Sequence, residues 1–186
     1  MGKAARKRHR EEKRVHALLD EGDLEGLADL LNDYAGAQVA EVDHEGLGLI
    51  PGTVASDLDE FRQRVREDPG GALDLVRGPP LGGVDWPWAV PLRAEIQSEI
   101  AAAAHAACRL DPTNAADYLR KGLTGAPHDV SLWIALLGLA GRGRSIRAVE
   151  MAYGWARDTF ATGVPDTVPT DITREYERWQ RKLRSS

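Results

Sequence analysis

The chain has 186 residues, 42% of them hydrophobic and 28% charged, with a formal net charge of −5. That composition excludes a wholly disordered chain, and the length allows one sizeable core with at most a small appendage, which excludes a long multidomain enzyme. A single cysteine, Cys108, cannot form an internal disulfide, and Asp, Glu or Arg interrupts every leucine-rich segment well before the roughly 18 to 20 apolar residues of a membrane span. A cytoplasmic protein without membrane contact is expected.

Residues 1–14 form a basic arm in which Lys3, Arg6, Lys7, Arg8, Arg10, Lys13 and Arg14 outweigh Glu11 and Glu12, a local net of +5. Such a block is the footprint of a segment that neutralises phosphates, because each cation brought to a nucleic-acid backbone releases a condensed counterion. The plainer reading is a solvated helix end beside an acidic stretch, since residues 15–60 carry twelve acids and no Lys or Arg. Within residues 15–54, Val15, Leu18 and Leu19 predict one short helix. Leu24, Leu27, Leu30, Leu31 and Tyr34 predict the next, with Gly22-Asp23 as the break. Extended runs at Gln38–Val42 and Leu47–Ile50 around Asp43-His44-Glu45-Gly46 predict a small β-hairpin near residues 37–50.

Ser56 followed by Asp59 reads as a cap opening a helix through Leu58, Phe61 and Val65, which Asp68-Pro69-Gly70 ends. A second helical piece carries Ala72, Leu73, Leu75 and Val76. Gly78-Pro79-Pro80-Leu81-Gly82-Gly83 and Trp86-Pro87-Trp88 then impose a loop, and from Pro91 onward the pattern is helical. This second half repeats with a spacing of 34 residues: Ala115, Leu119, Gly122 and Pro127 recur as Val149, Tyr153, Ala156 and Ala161. The corresponding first helices are Glu99, Ala102, Ala103 and Ala106 in a degenerate unit, and Trp133, Leu136, Leu137 and Ala140 in a well-formed one. Gly141 and Gly143 fit the turn inside the later unit, and Asp111-Pro112 and Ala126-Pro127 mark the other breaks. The expected fold is therefore mainly α: antiparallel helix pairs of a short tetratricopeptide-like solenoid over residues 55–186, closed by a helix with Ile172, Tyr176, Trp179 and Leu183. Leu119, Trp133, Leu136 and Tyr153 are its expected packing residues.

Ser56-Asp57-Leu58-Asp59-Glu60-Phe61, Ala72-Leu73-Asp74-Leu75-Val76-Arg77-Gly78-Pro79-Pro80-Leu81, Trp88, the junction from Gly122-Leu123 through Pro127 to Leu132-Trp133, and Val164-Pro165 to Tyr176 together resemble the bacterial transcriptional activator domain. This is the helical, tetratricopeptide-like module of actinobacterial antibiotic-regulatory-type and LysM-associated regulators. The resemblance covers roughly residues 55–184. It implies a regulatory or oligomerisation module of the kind that packs, in its relatives, beside a winged-helix DNA-binding domain. Such a domain needs about 90 to 100 residues, and some 55 precede the module here, so residues 15–54 read as a remnant of one. The Leu24–Tyr34 helix could take the recognition-helix place, but it carries Asp23 at its start and Glu25, Asp29 and Asp33 along it, with no base. That charge argues against major-groove reading.

Other chemistry finds little support. His105 and Cys108 are three apart on a helix, whereas a structural zinc site needs four ligands, and no CxxC motif supplies the rest. Asp43-His44-Glu45 lacks a nucleophile or oxyanion donor, and Gly78–Gly83 lacks the Lys and Ser/Thr of a phosphate loop. No enzymatic activity, cofactor, metal or small-molecule substrate is expected. Trp86, Trp88, Arg142, Arg144 and Arg147 are the candidate protein-interaction residues. The expected function is a non-enzymatic interaction or oligomerisation module of a transcription-regulator type that binds a protein partner or itself. The alternative is an architectural nucleic-acid binder using the arm, with Arg174, Arg178, Arg181, Lys182 and Arg184 as a second contact.

Overall fold

Two residues set the first boundary. Gly22 takes φ +70°, a left-handed conformation that costs glycine nothing, and Asp23 then caps the next helix by accepting from the Gly26 N–H at 2.8 Å. The computed structural model describes residues 14–15, 17–18, 21–35, 38, 40–43, 46–49, 56–82, 87, 89–161 and 167–185. The described residues are mainly helical, and the chain divides after Ser56 into two compact units.

In the first unit, helix α1 (Leu24–Ala35) buries Leu27 and Ala28. Strand β1 (Ala40–Asp43) pairs antiparallel with β2 (Gly46–Leu49), Ala40 opposite Leu49 and Asp43 opposite Gly46. Asn32 of α1 ties the two parts together. Its side-chain amide donates to the Ala40 carbonyl at 3.0 Å, and its side-chain oxygen accepts from the Ala40 N–H at 2.8 Å.

The second unit opens with α2 (Asp57–Arg64), which buries Phe61. The helix ends at Arg64, a turn before the expected Asp68-Pro69-Gly70, which instead starts the next element: the Asp68 carboxylate accepts from the Gly71 N–H at 2.9 Å and so caps the single turn α3 (Pro69–Ala72). Arg62 crosses from α2 to the long helix α4 (Ala89–Leu110), donating from Nε at 3.0 Å and Nη2 at 2.8 Å to Glu99, with Glu95 also on Nη2 at 3.0 Å. The fork of the guanidinium on the Glu99 carboxylate ties the two helices together at this point.

Helix α5 (Ala115–Gly125) runs back along α4: Cys108 meets Ala115, Ala104 meets Gly122, and Ile100 meets Gly125. A Cβ on Gly122 would stand 2.8 Å from that of Ala104, and one on Gly125 2.8 Å from Ile100 Cδ1, so only glycine lets the two backbones approach this closely. The buried stripe of α4 is Ile96, Ile100, Ala103, Ala104 and Ala107. This corrects the expected face of the degenerate unit, because Ala102 is exposed. The isoleucines turn the alanine run so that Ala103 and Ala104 face the core.

Helices α6 (Val130–Arg142), α7 (Ile146–Phe160) and α8 (Thr170–Arg184) pack on one another, and α6 also meets α5. Leu132, Leu137, Val149, Ala156 and Ile172 are fully buried. Tyr153 stacks on Tyr176 at 4.0 Å between ring centroids and hydrogen-bonds Thr173 at 3.2 Å, which joins α7 to α8. Gly141 does not sit in the turn expected for it. It occupies the last turn of α6 and is buried there because the Trp179 indole lies flat in the space its missing Cβ leaves. Gly143 does lie in the turn: it closes α6 at φ −69°, and the next residue, Arg144, takes the left-handed conformation at φ +55°.

Candidate interaction surface

The turn between α6 and α7 gathers the arginines expected from the sequence. Arg142, Arg144 and Arg147 are all exposed, and among the described residues no carboxylate pairs with them. Arg142 lies back along its own helix, with Nη1 3.4 Å from where a Gly138 Cβ would stand. Ser145 caps α7 by accepting from the Ala148 N–H at 3.2 Å.

Helix α7 has two unlike faces. Val149, Ala152, Ala156 and Phe160 are buried, whereas Met151 and Trp155, one turn apart on the other side, remain 47% and 46% exposed. Between them Gly154 has open space above it, with nothing within 4 Å of a Cβ position. Exposed charges frame this apolar stripe: Arg147 and Asp158 at its two ends, Glu150 and Arg157 along one flank. Tryptophan leads the residue types that dominate protein interfaces, and half-exposed large apolar residues in adjacent turns mark a surface that excludes water when covered.

The expected packing residues Leu119, Trp133 and Leu136 are buried, and Tyr153 is half-buried. The Trp133 indole N–H donates to the Pro127 carbonyl at 2.8 Å and so fixes the break between α5 and α6. Of the basic arm, Arg14 is exposed in helical backbone; Lys3, Arg6, Lys7, Arg8, Arg10 and Lys13 lie outside the described residues, as do Trp86 and Trp88. In α8, Arg174 pairs with Asp171 at 3.0 Å and Arg178 with Glu175 at 3.2 Å, and Lys182 sits over the Trp179 ring at 4.8 Å; Arg181 and Arg184 are exposed.

His105 and Cys108 do not form a ligand pair: the imidazole hydrogen-bonds the Ser131 hydroxyl at 2.9 Å, and the thiol donates to the Ala115 carbonyl at 3.5 Å. Burial pushes the Cys108 thiol above its ordinary pKa, which keeps it protonated and a poor nucleophile. Among the described residues no three His, Cys, Asp or Glu side chains converge on a metal position, and no helix is long and apolar enough to cross a membrane.

Comparison with family models, with curated proteins and with solved structures gives no significant match.

Sequence reading singled out Arg147 but missed Met151 and Trp155. The signal was present: within the 34-residue register Val149, Tyr153 and Ala156 define the buried face of α7, and Met151 and Trp155 fall on the opposite side, where large apolar residues have no packing role.

Proposed function

We propose that the chain is a non-enzymatic protein-interaction module of a transcription-regulator type, in which a short tetratricopeptide-like stack of helix pairs holds a binding face rigid. The observation that carries this reading is the half-exposed Met151 and Trp155 on a helix whose other face is buried by α6 and α8. The 34-residue register adds support, because Leu119 and Gly122 in α5 recur as Tyr153 and Ala156 in α7, small residues facing the neighbouring helix in both. The resemblance to the bacterial transcriptional activator domain agrees with it. The surface in question is the outer side of the second helix of a pair rather than a groove between pairs.

Size exclusion with light scattering, run with and without duplex DNA at low and moderate salt, tests the reading. Elution that ignores DNA at both salts is expected. A shift onto the duplex at low salt that vanishes at moderate salt, and also on deletion of Lys3–Arg14, would overturn it in favour of an architectural nucleic-acid binder.

A further inference from the structure

The outer face of α7 is complementary to itself. Consider two copies of α7 packed antiparallel about a two-fold axis passing beside Tyr153, so that residues whose numbers sum to about 306 come opposite. Met151 of each copy then meets Trp155 of the other, and both apolar residues lie on the same side of the contact. Arg147 comes opposite Asp158 at each end, and Glu150 comes opposite Arg157 along the other flank, so every charge framing the stripe meets an opposite one and each pair forms twice in the dimer. Gly154 falls at the crossing point, where its open space lets the two helices approach closely. Among the described residues none of these four charged side chains has an ion-pair partner within its own chain.

We infer that α7 mediates homodimerisation, with a second copy of this chain as the occupant of the Met151–Trp155 face. The inference rests on the reading of the chain as an interaction module and names its partner. A random exposed face would place like charges together about as often as opposite ones, and like-charge juxtaposition is what excludes wrong partners. Here both charge pairs and the apolar pair fit one register. A single helix pair covers less than the roughly 800 Å² per partner of a standard interface, so the dimer should dissociate on the order of 1–50 µM.

Sedimentation velocity of the full chain between about 1 and 200 µM reads the monomer–dimer equilibrium. The wild-type chain should dimerise, and Trp155→Ala should weaken the dimer at least roughly tenfold. Arg147→Asp and Asp158→Arg should each weaken it by a similar factor, because each sets like charges opposite one another at both ends. An equimolar mixture of these two variants should dimerise again, since position 147 of one chain then meets an opposite charge at position 158 of the other, at both ends. Both substitutions are exposed and place the favourable charge at their end of the α7 dipole, so thermal unfolding should show the fold intact. A wild-type chain monomeric throughout, a dimer indifferent to the three variants, or a mixture that stays monomeric would overturn the inference. A monomer that also ignores DNA overturns the dimer alone, whereas a salt-sensitive shift onto DNA overturns the module reading itself.

Discussion

Replacing Gly141 by alanine tests how α8 is attached. A Cβ at this position would overlap Cδ2, Cε3 and Cε2 of the Trp179 ring, which is only 6% exposed and has its indole N–H committed to Glu175 at 2.7 Å. Moving the ring costs about 1–3 kcal/mol if the core adjusts, and about 3–5 kcal/mol if the ring is driven out. Alanine's helix propensity returns at most about 1 kcal/mol. The net loss should therefore be about 2 kcal/mol, which for a unit of this size lowers the melting temperature by roughly 8 °C. Urea unfolding of Gly141→Ala, Trp179→Ala and the double variant separates the two contributions. Once the indole is gone, Gly141→Ala should cost nothing or stabilise by up to about 1 kcal/mol, giving a coupling of about 2–3 kcal/mol between the sites. An equal cost in both backgrounds would refute the claim that Trp179 fills the space of the missing Cβ.

Three further outcomes follow from the geometry. Arg144 holds φ +55° where glycine is unstrained, so Arg144→Gly should raise stability by about 0.5–1 kcal/mol by urea unfolding, and a loss would show that the arginine side chain has a stabilising contact there. Trp133→Phe removes the indole N–H and with it the fused five-membered ring, leaving the Pro127 carbonyl without its donor beside a small buried cavity, and should cost about 2–3 kcal/mol in thermal unfolding; a neutral result would mean that the core closes over both losses. The Asp111 carboxylate is held below its ordinary value of 3.8 chiefly by the Asn114 side chain, with the Tyr118 hydroxyl and the Thr113 N–H adding to it. Its folded pKa lies below the unfolded one, so its contribution to stability is fully present above the ordinary aspartate range and is lost as pH falls through the lowered value. Carboxyl NMR titration should show Asn114→Ala moving Asp111 back upward, and no movement would exclude that hydrogen bond as the cause.

Helices α5 and α7 were legible in the sequence because their patterns mix sizes: Leu119 beside Gly122, and Val149 beside Ala156, can be oriented in only one way. The first helix of the earlier unit was not. Four alanines in a row at 101–104 fit either face, and only Ile96 and Ile100, lying before the repeat positions, decide that Ala103 and Ala104 turn inward. Gly141 was misread for a different reason. A glycine near a helix end resembles a turn in local sequence, and what calls for glycine here is an indole 38 residues further along the chain that fills the space of a Cβ. The α7 face escaped notice because repeat reading looks for residues that pack, and Met151 and Trp155 matter by failing to.

Asn32 has a consequence for the two-stranded sheet of the first unit. Strands at a sheet edge offer unpaired N–H and C=O groups that other chains can extend, which makes short exposed sheets seeds for aggregation. Both backbone groups of Ala40 are taken by the Asn32 amide, so at the entry to β1 a side chain stands where a third strand would begin. One asparagine thus acts as an edge guard at this residue: it anchors a sheet too small to persist alone and occupies the backbone groups of Ala40 that an intruding strand would use.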